Sequence, residues 1–247
     1  MDPTLPAYIG MAAIVFTAYT VFGLTGFGSS IVAVPVLVQF VPLSFAVPLV
    51  LLLDLAATSA VGVSNWKQIS RAELLRLMPC MLIGVAIGVI ALVGVQPRWL
   101  LLALGVFVLA NATWSLVAPP ARHPIGTLWV VPAGVVGGVF SALFGTGGPI
   151  YTIYLARRLD DAGALRATMT AVVLTSALMR LVVFTGVGLL QQDNLLLTGL
   201  WLLPVCAAGV FAGSRLRGAL PPARIKQALF VVLMLGGAGA IVRALSM

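Results

Sequence analysis

The chain is a succession of apolar runs separated by short polar punctuation. The runs 8–24, 43–64, 77–95, 99–117, 128–144, 164–190, 195–211 (extending toward 216) and 228–245 approach or exceed the roughly 20 residues a helix needs to cross a bilayer. Two other runs, 31–41 and 150–156, are too short to cross. Each follows a glycine break, Thr25-Gly26-Phe27-Gly28-Ser29-Ser30 in one case and Gly145-Thr146-Gly147-Gly148-Pro149 in the other. Glycine is unfavourable inside a helix and permissive in turns. At membrane depth, irregular backbone survives only where protein or a water-lined cavity surrounds it. The pattern predicts two broken helices whose breaks form a binding site, with the remaining helices positioning them.

The two halves read alike: long run, break, short run, then three long runs. Gly26 and Gly28 align with Gly145 and Gly147, and Thr58-Ser59-Ala60 with Thr175-Ser176-Ala177. Pro79, Gly84 and Gly88 align with Pro204, Gly209 and Gly213. The expectation is a single transmembrane domain over 1–247, made of a repeat at about 1–118 and a second at about 125–247, joined by the rigid connector 119–124. The Gly84/Gly88 and Gly209/Gly213 pairs suit close helix packing, within the chain in preference to across a dimer, although a homodimer is compatible with this reading.

Charge sets the topology. If each long-break-short unit were one bent crossing, basic loops would fall on both sides. If each is a hairpin that returns to its starting side, Lys67, Arg71, Arg76, Arg122, Arg157, Arg158, Arg166, Arg215, Arg217, Arg224 and Lys226 share one side. Only Arg98 and Arg243 then lie on the other, with Arg180 inside the membrane. The hairpin arrangement satisfies the rule that cytoplasmic loops are positive. It also makes the halves inverted relative to each other, a common plan for secondary transporters, with both termini outside the cytoplasm.

Composition removes competing classes. With 61% hydrophobic and 8% charged residues and a mean hydropathy of +1.15, the chain is all-α and polytopic in the membrane. The stretch 1–10 has no Lys or Arg, so it reads as the approach to a retained membrane segment and not as a signal peptide. The net charge of +8 belongs to loops and does not call for nucleic acid. Cys80 and Cys206 sit in apolar runs beside prolines and read as small buried hydrophobes. One His and few acids leave no convergent set for an enzyme, and no metal or cofactor is called for. A phosphate loop lacks both its lysine and its strand-turn-helix context.

The candidate chemistry is anion binding. A helix that starts after each break presents backbone N–H groups at the positive end of its dipole. Ser29 and Ser30 are expected to cap the first, and Pro149 suits the first turn of the second. Two such starts make an anion site without lysine. The expected substrate-binding set is Thr25, Gly26, Gly28, Ser29, Ser30, Gly145, Thr146, Gly147, Gly148 and Arg180. Arg180 and Asp54 are the two charges deep in apolar runs; such charges face a cavity or each other. Arg180 offers a fixed positive charge, and Asp54 is the candidate for proton coupling. Asn111 and Gln39 are further polar groups in the apolar runs.

Gly23-Leu24-Thr25-Gly26-Phe27-Gly28-Ser29-Ser30 with the following Val34-Pro35, and the later Phe144-Gly145-Thr146-Gly147-Gly148-Pro149, resemble the TauE/SafE sulfite exporter family of membrane permeases. The likeness covers nearly the whole chain. It implies a transporter for sulfite, organosulfonates or related small sulfur-containing anions, often as efflux. The expected setting is the cell inner membrane, and the expected mechanism, from the inverted halves and the central site, is alternating access, with proton-coupled export as one form. A metal-cation permease and a membrane-embedded enzyme or scaffold are the competing classes. The family motifs assign no role to Asp54 or Arg180.

Overall fold

The computed structural model describes residues 5–26, 28–61, 66–117, 125–216 and 222–246. The connector 119–124, and with it Arg122, lies outside the described residues, as do Phe27 and Arg217. Among the described residues ten α-helices follow one another: α1 Leu5–Thr25, α2 Ser29–Leu37, α3 Leu43–Val61, α4 Arg71–Gly94, α5 Pro97–Val117, α6 Val130–Phe144, α7 Gly148–Leu155, α8 Ala162–Gly186, α9 Leu195–Leu216 and α10 Pro222–Leu245. Short 3-10 turns precede α4 and α6. Six helical stretches among the described residues are long and apolar enough to cross a membrane: Tyr8–Thr25, Arg71–Gly94, Pro97–Trp114, Thr127–Phe144, Ala162–Gly186 and Leu195–Leu216. The protein is an all-helical polytopic membrane protein.

Helix boundaries depart from the apolar runs at basic stretches. The segment 67–76, which reads as a basic loop, is helical from Arg71 onward. Its side chains are polar because they form the first turns of α4, where Glu73 is buried. Likewise α10 begins at Pro222 and takes Arg224 and Lys226 into its first turns. A helix that reaches the polar boundary of the bilayer keeps its backbone bonded while side chains meet water, as exposed Arg71 and Arg76 do at the start of α4.

Contacts divide the loops between two ends. At one end Gln192 Nε2 donates to the Ser44 carbonyl at 2.8 Å. There Phe40 also packs against Gly10, and Tyr8 stacks edge-on against Trp201. At the other end the Ser70 N–H donates to Thr168 Oγ1 at 2.9 Å, and Arg158 reaches both Glu73 and the Ile125 carbonyl. The start of α1 and the end of α2 therefore share the first end, and the start of α6 and the end of α7 share the second. Each unit is a hairpin, as the distribution of basic residues required. A bent crossing would separate Ser44 from Gln192 by the thickness of the molecule. Among the remaining helices, α4, α5, α8 and α9 are long and apolar enough to run from end to end, and α3 and α10 carry shorter apolar stretches.

Small residues let the long helices approach. Gly84 of α4 lies against Gly138 and the Val135 carbonyl of α6, and Gly88 against Val139 and Ala142. Gly209 of α9 lies against the Phe16 carbonyl and Tyr19 of α1, and Gly213 against Thr20 and Gly23. Any side chain at these four positions would strike backbone or Cβ atoms of the neighbour, which is the close packing that small residues permit in membranes. Both pairs run parallel, and both lie within one chain.

Candidate functional site

The hairpin tips meet in the interior. Gly26 and Gly28 turn the first tip with φ of 87° and 91°, and Gly145 turns the second with φ of 69°. This left-handed backbone is open to glycine at no steric cost. A Cβ on Gly145 would fall 2.7 Å from Cβ and Oγ of Ser30 and 3.3 Å from Arg180 Nη1. The second tip is therefore in direct contact with the first turn of α2 and with Arg180.

Between the tips lies a cavity of about 30 Å³, room for one or two waters. Gly28, Ser29 and Ser30 line it from the first hairpin, and Gly145, Thr146, Gly147, Gly148 and Pro149 from the second. Asp54 of α3 and Arg180 of α8 complete the charged part of the wall. Nine of the eleven expected site residues thus converge on one cavity. Thr25 and Gly26 do not line it: the Thr25 hydroxyl bonds back to the Val21 carbonyl, and Gly26 serves the turn alone. Asn111 and Gln39 are absent from the wall as well.

The roles of the serines differ from expectation. The residue capping α2 is Gly28, with no side-chain cap. Ser29 Oγ donates to Asp54 Oδ1 at 2.6 Å and Ser30 Oγ to Asp54 Oδ2 at 2.6 Å. Tyr19 adds a third hydroxyl to Oδ1 at 2.8 Å. The hydroxyl protons of both serines are thus committed to the charged acceptor Asp54, and the first-turn N–H groups of α2, at the cavity-lining residues 28–30, carry no side-chain cap. At α7, Pro149 stands in the first turn as expected. Ile150 and Tyr151 bond the Gly147 carbonyl, so Gly147 and Gly148 carry the backbone donors of this start.

Arg180 is buried, and its Nη1 donates to the Ser141 carbonyl at 3.2 Å. No ion pair joins it to Asp54 among the described residues. Its Nε has no partner, and neither has the hydroxyl of buried Tyr151, which lies beside Ser176 short of bonding geometry. Ser141 and Ser176 share a hydrogen bond of 2.6 Å in the same wall. Buried donors are nearly always satisfied; these two are not, and both residues line the same cavity. Tyr19, Tyr151 and Ser141 were not singled out in the sequence, and Ser176 was named there only as part of the repeated Thr-Ser-Ala element. Tyr151 follows the last residue of the second break by two positions.

A second polar cluster closes one end of the bundle. Buried Glu73 accepts from Arg158 Nη2 at 2.8 Å and Nε at 3.2 Å, from Arg76 at 2.9 Å and from the Tyr154 hydroxyl at 2.6 Å. The cluster ties the end of α7 to the start of α4. The opposite end holds a wider cavity of about 370 Å³ between 38–44, the α4–α5 turn, Leu189 and Arg243.

Comparison with known proteins agrees with this arrangement. The family model described as "Sulfite exporter TauE/SafE" matches residues 11–240. A curated relative, "Probable inner membrane transporter protein TsaS" of Comamonas testosteroni, is 30% identical over 192 residues, covering 76% of this chain and 80% of that protein. No solved structure matches. With the family model spanning both glycine breaks and nearly every helix, the chain belongs to the TauE/SafE sulfite exporter family.

Proposed function

We propose that the protein is a secondary transporter of the inner membrane that moves a small sulfur oxyanion, sulfite or an organosulfonate, by alternating access. The observation that carries this reading is the central cavity. Two helix starts converge there with the unpartnered donors of Arg180 and Tyr151, a set suited to a tetrahedral anion. The family and the name of the curated relative point the same way.

Several features support alternating access. The hairpins open toward opposite ends, and the packing of α4 on α6 recurs as α9 on α1 with corresponding residues in contact. This is what two inverted copies would produce. The Glu73 cluster bars one end, while the other is wider. The end rich in arginine faces the cytoplasm in this proposal, with both termini outside.

A thermal-shift screen of purified protein with sulfite, sulfate, thiosulfate, taurine and sulfoacetate tests the reading, since a ligand bound by the folded state raises Tm. At least one sulfur anion should raise it. A shift with divalent cations and none with any anion would overturn the proposal.

A further inference from the structure

The cavity holds one charge of each sign, and they are not paired with each other. Asp54 accepts three hydroxyl donors, from Tyr19, Ser29 and Ser30, and donates to none, the pattern of a carboxylate. Arg180 lines the cavity, and its buried Nε has no hydrogen-bond partner. The starts of α2 and α7 contribute roughly half a positive charge each. Arg180, Asp54 and the two helix starts therefore sum to about one positive charge. A bound monoanion brings the buried site to neutrality. A dianion leaves a net negative charge in a medium where an uncompensated charge is expensive.

The wall also has an apolar side. Phe22, Ile31 and Val173 line the same space as the donors. Such a wall suits an anion with three oxygens on one face and carbon on the other better than one with oxygens all round.

We propose that Asp54 sets the valence of the transported anion: the site accepts monoanionic sulfonates, –SO₃⁻ groups on a short carbon substituent, and rejects dianions such as sulfate. This rests on the anion-site reading above. Asp54 acts as a specificity determinant through its fixed charge, opposite in effect to Arg180. Its three hydroxyl partners hold that charge at the cavity wall and keep it from collapsing onto Arg180.

Methanesulfonate and sulfate are close in size and differ in charge and in one methyl group, so valence is read from how a change at Asp54 alters the ratio of their affinities at one pH. Wild type should bind methanesulfonate at least about tenfold more tightly, a modest part of what an unpaired buried charge costs. Asp54→Asn keeps the shape, accepts from Tyr19 and Ser29 through its oxygen, and can donate to Ser30 through its amide. In this variant sulfate should gain about tenfold relative to methanesulfonate. A merely structural Asp54 would lower both anions alike, and that result overturns the proposal. Equal binding of the two anions by wild type also overturns it, whether or not the variant folds. Binding of neither anion, nor of sulfite, would instead remove the anion site itself.

Discussion

At the residue scale, Tyr151 and Arg180 separate a binding role from a structural one. The Tyr151 hydroxyl is buried and unpartnered in the free protein, so it costs stability until something accepts from it. Tyr151→Phe should therefore leave Tm unchanged or slightly raised. The same change should weaken sulfite binding by roughly ten- to a hundredfold, the worth of one hydrogen bond to a charged group. A large drop in Tm with affinity intact would assign the tyrosine to packing. Asp54 and Arg180 were legible because charges in apolar runs are rare and have a reason to be there. The hydroxyls were not. In apolar helices a hydroxyl commonly bonds a carbonyl four residues back, as Thr17, Thr20, Thr113 and Thr185 do here. Nothing local distinguishes these from Ser141 and Ser176, whose hydroxyls turn into the cavity wall.

At the element scale, the hairpins and their tips carry the geometry. A side chain on Gly147 would meet the Gly137 carbonyl, the Tyr151 ring and Ser141. Gly147→Leu should therefore abolish flux in proteoliposomes while the protein still inserts and purifies; normal flux would take the second tip out of the site. The Glu73 cluster gives a second test. Glu73→Gln removes the charge that Arg158 and Arg76 share and loosens the end of α7 from α4. The partners are partly exposed, so the loss should be modest, about 1–3 kcal/mol, read as a lower Tm in the absence of ligand. No change in Tm would show that the cluster does not hold the hairpin. The breaks and the hairpin form were readable from glycine placement and the sidedness of Lys and Arg. The serine cap was misread because a helix end is a local feature, whereas the carboxylate that claims Ser29 and Ser30 lies 24 and 25 positions away. Glu73 was hidden in a stretch whose basic residues resemble a loop.

At the scale of the whole molecule, two ends of unlike character enclose one central site. The end with Gln192 and Ser44 carries few cations, while the end with Arg71, Arg76, Arg157, Arg158 and Arg166 is strongly basic. Single cysteines placed at Gln192 and at Asp161, in a background lacking Cys80 and Cys206, should react with an impermeant thiol reagent from opposite faces of the membrane. The Gln192 site should be reachable from outside the cell and the Asp161 site only after the membrane is opened; labelling of both from outside would refute the orientation. The central claim is that the meeting of two helix starts with Arg180 holds an anion. Equilibrium binding of sulfite to purified wild type and Arg180→Gln, at a pH low enough for sulfite to be largely the hydrogensulfite monoanion, tests it most directly. Saturable binding by wild type, weakened by roughly tenfold to a hundredfold in the variant as expected for a lost charge-assisted bond, is the predicted result. Equal binding by the two proteins would contradict it.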